Sequence, residues 1–327
     1  MKLGVVGATG LVGQNFLSLL EKETSFPVTE LRLFSSSPKT CSFLDKKIQT
    51  QTLNPSAFKD LDICFFSAGS DVSLKWAPLA VEQGAIVIDN SSAFRSHSDK
   101  LLIVPEVNAH LLNYKAQIIS NPNCSTIQLV VALEALKKAF GLDSVHVVSL
   151  QSISGAGAKA LDTLKKDSLS ILTGEQTYKQ KEMNHAFNCV PYIGTINEEG
   201  FCEEEVKIMT ESKKILSLPE LKISAFTVRV PCLNSHSEVV RFSIKKSANK
   251  EEILSALSDY VKVPKDLPHA RQADQEKEVF AGRLHKDPSM ENSWWLWLVA
   301  DNLLKGASWN GLQIAKELVR IKNTVSD

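Results

Sequence analysis

The sequence predicts an α/β protein with two domains: a doubly wound parallel sheet, then an α+β domain with a mainly antiparallel sheet. Three observations support this. A buried strand enters a glycine-rich turn and a helix at the N-terminus. Apolar strands then alternate with helical segments, as in parallel sheets. Later strands are separated by long polar stretches, a grouping typical of α+β domains.

Size and composition limit the possible functions. A chain of 327 residues can form two domains with a large core. The 37 basic residues balance the 37 acidic ones, so no strong field would recruit nucleic acid or an anionic membrane. No segment resembles a membrane span or a signal peptide, and we expect a cytoplasmic protein that acts on small molecules. The six cysteines lack the spacing of a metal site, so we expect no structural metal. We also expect no disulfide framework.

The N-terminal segment predicts dinucleotide binding. The strand Lys2–Val6 leads into G-A-T-G-L-V-G at residues 7 to 13, and an amphipathic helix follows. Glycines permit a tight turn and close backbone approach, while the helix start receives a pyrophosphate. A purely structural turn is the alternative. The predicted cofactor contacts of this Rossmann-type turn are Gly7, Thr9, Gly10, Leu11 and Val12.

The next strand, Leu31–Phe34, bears on the choice of cofactor. An NAD site usually places an acidic residue after this strand to bind the ribose hydroxyls. Here the chain has short hydroxyls and a lysine instead, at Ser36, Ser37 and Lys39. These residues suit a 2′-phosphate and favour NADP over NAD, although a plain polar loop would have the same composition.

Further candidates follow two more predicted strands, Asp62–Phe66 and Ala85–Ile88, which the helix Asp71–Gln83 separates. Ligands in such sheets bind beyond the carboxyl ends of the strands. Ser67 and Gly69 follow the first of these strands. Arg95 follows the second, where its donors suit a phosphate or a carboxylate, although most arginines are simply surface residues.

A short predicted strand, Ala116–Ser120, is followed by Pro122, which interrupts it. Cys124 then begins a long apolar helix that runs to Gly141. Unpaired backbone N–H groups and the helix dipole favour negative charge at a helix start. The thiol should therefore ionise more easily than that of a free cysteine and be a better nucleophile. The alternative is a small buried apolar residue.

Beyond this helix the sequence predicts a second domain. Its strands are Ser144–Leu150, Leu221–Val230, Glu238–Lys246 and Trp294–Ala300, and Asn249 caps a helix that extends to Tyr260. The tryptophans of the last strand suit a core or a subunit interface. The final helix, Leu304–Ile321, is expected to return to the first domain. We therefore predict a cofactor domain of residues 1–123 and 304–327, and a catalytic and dimerisation domain of residues 124–303.

Five polar residues of the second domain are candidates for chemistry. Gln151 leads into a glycine-containing strand exit, and Glu204 and Lys207 share a face if their segment is helical. Arg229 and His236 flank the connection between two strands. Each also has a structural interpretation: a turn, a solvated charge pair, a snorkelling arginine or a buried histidine.

Eight motifs together resemble the bacterial type of the aspartate-semialdehyde dehydrogenase family over essentially the whole chain. They are G-A-T-G-L-V-G at 7–13, F-S-A-G at 66–69, P-E-V-N at 105–108, N-P-N-C-S-T at 121–126, Q-S-I-S-G-A-G at 151–157, E-E-V-K at 204–207, R-V-P-C-L-N-S-H-S-E at 229–238 and D-N-L-L-K-G-A-S-W-N at 301–310. The resemblance implies a homodimer that binds NADP(H). It also implies reversible reduction of L-aspartyl-4-phosphate to aspartate semialdehyde and phosphate, in the pathway to lysine, diaminopimelate, threonine and methionine.

The resemblance also implies residue roles. Cys124 would form the acyl thioester, and His236 would be the acid and base, with a pKa near neutrality. Asn123 or the backbone at the helix start would stabilise the oxyanion. The binding roles are as follows: Gln151 for the acyl group, Arg229 for the substrate carboxylate, Glu204 for its amino group, Arg95 and Lys207 for phosphate, and Asn302, Ser154 and Gly155 for the nicotinamide end.

One departure from the family pattern concerns the cofactor. Pro38 stands where many relatives have an arginine that binds the 2′-phosphate, and Lys39 lacks the bidentate geometry of arginine. NADP preference is therefore expected to be weaker than in those relatives.

Two alternatives to this function remain open. An N-acetyl-γ-glutamyl-phosphate reductase would not need Glu204 for a free amino group, and a catalytically silent paralogue should have lost the thiol, the histidine or the arginine.

Overall fold

The computed structural model describes residues 1–175 and 184–326. It divides into two compact units, Met1–Asn123 with Gly306–Asp327, and Cys124–Lys305. Among the helices in the described ranges, none is both long and apolar enough to cross a membrane.

A six-stranded parallel sheet forms the first unit. Its strands are β1 (Lys2–Val6), β2 (Glu30–Phe34), β5 (Ile63–Phe66), β6 (Ile86–Asp89), β7 (Leu101–Leu102) and β8 (Ile118–Ser120), and a separate hairpin consists of β3 (Thr40–Phe43) and β4 (Lys46–Gln49). The sheet order is β2-β1-β5-β6-β8-β7, with every pairing parallel. Strands β5 and β6 are buried throughout, as expected when both faces of a parallel sheet are covered.

The helices α1 (Leu11–Lys22), α2 (Ser70–Glu82) and α3 (Pro105–Asn108) belong to the same unit. Helix α1 buries an apolar face, on which Phe16 stacks against Phe65 of β5 with ring centroids 4.2 Å apart. This contact anchors the helix directly over the sheet. The start of α1 is thereby held next to the end of β1.

A five-stranded sheet organises the second unit. In chain order its elements are α4 (Cys124–Phe140), β9 (Leu142–Gln151), α5 (Ala158–Leu172), α6 (Glu203–Leu216), β10 (Lys222–Arg229), β11 (His236–Ile244), α7 (Lys250–Ser258), α8 (Ala270–Ala273), β12 (Val279–Lys286) and β13 (Ser293–Ala300). The order is β10-β9-β11-β13-β12, and only the β10–β9 pairing is parallel. The predicted fold class, with a parallel and a mainly antiparallel sheet, is confirmed.

Helix α4 is the central helix of this unit. It packs against α6, α7 and strands of the sheet, and its residues from Ser125 to Leu136 are all buried. A helix that is apolar on all sides requires such complete cover. Asn249 caps α7 as predicted, since its side chain accepts a hydrogen bond from the Glu252 N–H.

The chain returns to the first unit at its end. A π-helical turn, Leu304–Ser308, precedes α9 (Trp309–Ser326), which packs against α1 and α3. Asn310 on this helix donates a hydrogen bond to the Ile103 carbonyl and another to the Asn121 side chain. These buried bonds fix α9 to the carboxyl end of the sheet.

The sequence analysis did not predict strands β3, β4, β7 and β12. The β3–β4 hairpin turns at Leu44 and Asp45, both with positive φ, and the leucine is not a residue that marks such a turn. Strand β12 contains a register shift after Gly282, and Arg283 has a φ of 52°. Such a bulge interrupts the alternation by which strands are recognised in a sequence.

The glycines at the start of α1 allow a direct test of this packing. A Cβ at Gly13 would lie 2.3 Å from the Gly7 carbonyl oxygen, whereas one at Gly10 would lie 3.4 Å from the same atom. We expect Gly13→Ala to lower the free energy of unfolding by about 1–3 kcal/mol, because backbone must shift. Gly10→Ala is the matched control and should unfold like the unsubstituted protein in chemical denaturation. Equal stability of the two variants would contradict this packing.

Candidate active site

Three loops of the first unit meet beyond the carboxyl ends of β1, β2 and β5. The N–H groups of Gly7 and Ala8 donate to the Phe34 carbonyl over 3.0 and 3.1 Å, which joins the glycine turn to the end of β2. Gly7 has a φ of +80°, and a Cβ there would lie 2.3 Å from the Ser67 carbonyl oxygen. Only glycine permits this approach.

The same turn has the features that a dinucleotide requires. Gly10 N donates to Gly7 O over 3.0 Å, and no side chain caps the start of α1. The first amides of the helix, beginning at Leu11 and Val12, are therefore available to a phosphate. Thr9 lies within this turn. Gly69, with a φ of +90°, follows Ser67 by two residues and immediately precedes α2.

The loop after β2 holds the predicted 2′-phosphate residues, and Ser36, Ser37 and Lys39 are all exposed there. Its backbone is ordered by Thr50, whose hydroxyl accepts a hydrogen bond from the Lys39 N–H over 2.8 Å. The Ser35 hydroxyl donates to the Ser37 carbonyl over 2.6 Å. Lys39 thus presents a cation from a defined backbone position.

Arg95 lies in the turn after β6 and is partly buried. Its Nη2 donates to the Asn90 carbonyl over 2.9 Å. The Asn90 side-chain oxygen in turn accepts a hydrogen bond from the Asn121 side-chain amide. The Asn121 side-chain oxygen accepts one from Asn310. This chain of amides fixes the guanidinium at the carboxyl edge of the sheet. Asn123 is buried and lies two residues beyond Asn121, immediately before Cys124 in sequence.

Cys124 is the first residue of α4 and is partly exposed. Cys64, by contrast, is fully buried, and burial raises the pKa of its thiol. A charged Cys124 raises the pKa of Arg229. Because electrostatic attraction is mutual, Arg229 favours the thiolate of Cys124. Cys124 is therefore partly exposed and near a cation, rather than packed as an inert apolar group.

Arg229 is the common neighbour of the predicted catalytic residues. It ends β10, where it pairs in register with Gln151 of β9, and its side chain is 7% exposed. Its Nη1 donates to the Ser152 carbonyl over 2.8 Å. Burial lowers the pKa of Arg229, while the negative charges of Cys124 and Glu204 act in the opposite direction.

The helical position of Glu204 and Lys207 is confirmed, since both lie in the first two turns of α6. Their charged atoms are 3.6 Å apart, and Lys207 also lies 3.9 Å from Glu203. Glu204 is 7% exposed, whereas Lys207 is more accessible. A buried carboxylate between a lysine and Arg229 suits a positively charged ligand group.

His236 begins β11 and is fully buried. Its Nδ1 accepts a hydrogen bond from the Ser152 backbone N–H over 3.1 Å, and within the described part of the chain its Nε2 has no hydrogen-bond partner. Burial, and then the charge of Arg229, lower the pKa of His236 to about 3. The expected pKa near neutrality is therefore wrong for this structure, in which the imidazole is neutral.

A buried network lies behind the imidazole. The Asn302 side-chain oxygen accepts from the hydroxyls of Ser152 and Ser154 over 3.0 and 3.1 Å, and from the Ser235 N–H over 2.9 Å. The side chains of Asn302 and Ser154, predicted at the nicotinamide end, are thus engaged in the support of His236. Gln151 is also buried and donates to the Ser149 hydroxyl over 3.1 Å.

Ser152 is the site residue that the sequence analysis missed. Its N–H contacts His236, its carbonyl contacts Arg229, and its hydroxyl lies 3.0 Å from His236 Nδ1. The only signal in the sequence is its position next to Gln151 in a glycine-containing strand exit. A backbone role of this kind leaves no trace in residue type.

Two family models together match most of the chain. The family model "Semialdehyde dehydrogenase, NAD binding domain" matches residues 2–114, and "Semialdehyde dehydrogenase, dimerisation domain" matches residues 133–305. Aspartate-semialdehyde dehydrogenases of Bacillus subtilis and Aquifex aeolicus are each 40% identical to the chain, with 98% of both chains covered.

Solved structures give the same result. Aspartate-semialdehyde dehydrogenase II of Vibrio cholerae, complexed with ASA, has a TM-score of 0.90 at 37% identity, with 98% of each chain covered. The Candida albicans enzyme with NADP has a TM-score of 0.76 at 26% identity over 99% of each chain. The chain belongs to the aspartate-semialdehyde dehydrogenase family, whose NAD(P)-binding and dimerisation domains it contains.

Proposed function

We propose that the chain is an NADP-dependent aspartate-semialdehyde dehydrogenase that reduces L-aspartyl-4-phosphate to aspartate 4-semialdehyde and phosphate. The step would serve the synthesis of lysine, diaminopimelate, threonine and methionine. The observation that carries the proposal is the cluster around Arg229, where an accessible cysteine, a buried carboxylate and a buried imidazole share one guanidinium. Membership of the family supports the same oxidoreductase activity.

In this proposal the cluster binds the two ends of an amino acid. Arg229 binds the α-carboxylate, because its fork of donors matches a carboxylate. Glu204 accepts hydrogen bonds from the α-ammonium group. With both ends held, the side-chain acyl group is oriented toward Cys124, and Gln151 contacts its oxygen.

The chemistry begins at the sulfur. The Cys124 thiolate attacks the acyl phosphate, phosphate leaves, and a thioester remains on the enzyme. Asn123 or the amides at the start of α4 stabilise the oxyanion of this step. Lys207 and Arg95 bind the phosphate group, each as a cation with hydrogen-bond donors. These roles follow from the motifs that the chain shares with the family.

The dinucleotide fits the first unit, since its glycine turn leaves the start of α1 open to a pyrophosphate. When bound, NADPH supplies the hydride that reduces the thioester. Gly7, Thr9, Gly10, Leu11, Val12, Ser67 and Gly69 would hold the dinucleotide, and Ser36, Ser37 and Lys39 would bind its 2′-phosphate. Ser154, Gly155 and Asn302 would lie at the nicotinamide end.

We also propose a homodimer formed through the second unit. One face of its sheet leaves apolar side chains exposed, with Phe226 at 51% and Val148 at 38%. Apolar strand residues on an open sheet face indicate an interface. Burial of this face between two copies predicts a dimer in sedimentation equilibrium. A monomer at micromolar concentration would contradict this assembly.

The two alternatives are not favoured. The relatives named above are aspartate-semialdehyde dehydrogenases. An N-acetyl-γ-glutamyl-phosphate reductase acts on a substrate whose amino group is acylated, so it would not need the Glu204 carboxylate to bind that group. A silent paralogue would not need a thiol that is both accessible and near a buried arginine. The thiol, the imidazole and the guanidinium are all present.

Substitution of the nucleophile tests the reaction. Cys124→Ala should lower kcat by roughly 10⁴-fold or more in phosphate-dependent reduction of NADP⁺ with aspartate semialdehyde, since no thioester can form. Its thermal unfolding should be nearly unchanged. Cys189→Ala, which removes an exposed thiol, is the control and should retain full activity. If Cys124→Ala retains turnover, the thioester mechanism is wrong.

Substitution of Lys39 tests the cofactor. Loss of this cation should raise KM for NADP⁺ by roughly tenfold, since charge-assisted hydrogen bonds contribute about 1.5–3 kcal/mol. KM for NAD⁺, which lacks the 2′-phosphate, should not change. Lys46→Ala removes an exposed charge from the nearby β3–β4 hairpin and should affect neither value. An equal effect of Lys39→Ala on both cofactors would refute the 2′-phosphate role.

A further inference from the structure

We propose that Glu205 is a positioning residue for substrate recognition: its buried carboxylate joins the start of α6 to β10 and so fixes Glu204 relative to Arg229. The effect on the substrate rests on the proposed function, in which Glu204 and Arg229 bind the two ends of the amino acid. The link between the two elements depends only on hydrogen bonds within the second unit.

Glu205 is the acidic residue of the E-E-V-K motif that has no role in the proposed reaction. Its side chain is buried, with 4% exposure. A buried carboxylate is costly unless its oxygens accept hydrogen bonds. Here Oε2 accepts from the Cys202 N–H over 3.0 Å, and Oε1 accepts from the Thr227 N–H over 2.9 Å. The side chain is therefore held by backbone groups on both sides, at the start of a helix and on a strand.

The bond to Thr227 lies at the edge of a sheet. β10 is the edge strand next to β9, and an edge strand presents outward-facing N–H groups that need partners. Those of Thr227 and Arg229, two residues apart, face the same side. The Arg229 N–H donates to the Val190 carbonyl over 2.8 Å, and the Thr227 N–H donates to Glu205. The carboxylate thus completes the edge of β10 just before Arg229.

A second contact joins the same two elements. The Cys202 sulfur lies 3.0 Å from the Thr227 hydroxyl, and both residues are buried. Cys202 immediately precedes α6, and its N–H is the group that donates to Glu205. Cys202, Glu205 and Thr227 therefore form a closed cluster, and a shift of α6 along β10 would break its contacts together.

The cluster lies next in sequence to both residues proposed to recognise the substrate. Glu204 precedes Glu205 in the first turn of α6, and Arg229 follows Thr227 by two residues on β10. Burial lowers the pKa of Arg229, and the charge of Glu204 acts in the opposite direction, which places the two groups within electrostatic range. Their separation depends on how α6 is held against β10, and Glu205 holds it.

Glutamine at position 205 distinguishes this role from the filling of space. Its side chain has nearly the same volume, but only one of its two terminal atoms accepts a hydrogen bond. Either the Cys202 N–H or the Thr227 N–H would then face an amide nitrogen, and two donors repel. Because a buried donor without an acceptor is unfavourable, α6 and β10 should move apart in Glu205→Gln.

The start of α7 provides a matched control. Glu252 is the third residue of α7, as Glu205 is of α6, and its Oε2 accepts from the Asn249 N–H over 2.7 Å. Glu252 is exposed, whereas Glu205 is buried. Glu252→Gln therefore changes the same kind of helix cap at a position where water can replace a lost acceptor.

Steady-state kinetics of the full-length protein test the role. Glu205→Gln should raise KM for aspartate semialdehyde by roughly tenfold, because small displacements of binding groups are costly. KM for NADP⁺ should not change, and Glu252→Gln should change neither value. A purely structural role would lower the amount of folded enzyme, and with it kcat, at unchanged KM for both substrates. That result would overturn the inference.

Amide hydrogen exchange at single residues tests the link itself. Exchange at Thr227 should be faster in Glu205→Gln than in the unsubstituted protein. Glu205→Asp keeps the carboxylate but is one methylene shorter, so it cannot reach both N–H groups and should raise the same KM. If neither variant folds, the unsubstituted protein decides: slow exchange at Thr227 supports the link, and exchange at the rate of an open edge strand refutes it.

Failure of the proposed function has a different signature. In that case the unsubstituted protein would lack activity with aspartate semialdehyde, while the exchange rate at Thr227 would still report the bond to Glu205. The two results are therefore separable.

Discussion

The hydrogen bond from Arg229 to the Ser152 carbonyl is the interaction on which the candidate site of the second unit depends. It holds a buried cation at the end of β10, near the thiol of Cys124 and the carboxylate of Glu204. A buried charge is costly unless it is paired, and here the guanidinium donates to a backbone oxygen and lies near the Glu204 carboxylate. Burial lowers the pKa of His236, and the charge of Arg229 acts in the same direction.

The first unit depends on a different constraint, the close approach of backbone to backbone. The turn after β1 touches the ends of β2 and β5, and a Cβ at Gly7 or Gly13 would overlap a carbonyl oxygen. Packing of this kind needs no charge. It places a helix start at the sheet edge, where peptide dipoles can bind phosphate. In the proposed function, peptide dipoles of the first unit bind the pyrophosphate, whereas the formal charges of Arg229 and Glu204 in the second unit bind the substrate.

Much of this organisation could be predicted from the sequence, because its signals are local. The glycine turn, the long apolar helix after Cys124 and the capped helix at Asn249 each depend on neighbouring residues. The β3–β4 hairpin was missed because Leu44 adopts positive φ although leucine is not a turn residue. Local sequence patterns do not reveal strain that tertiary contacts stabilise.

The chemical state of the site was harder to predict. The positions of Arg229 and His236 in the sequence gave no measure of their distance from each other or of their burial. A pKa depends on both, and so the expectation for His236 was wrong. Ser152 was missed because its contact with Arg229 and its amide contact with His236 are made by its backbone, which every residue type except proline offers in full.

The central claim is that Cys124 carries the acyl group, and mass spectrometry of the acid-quenched enzyme tests it most directly. Aspartate semialdehyde and NADP⁺, mixed with the enzyme without phosphate, should leave an aspartyl thioester on the peptide that contains Cys124. The mass increase should disappear when phosphate is added before the quench. NADPH formation with no acyl group on Cys124, or with the group on another residue, would contradict the account.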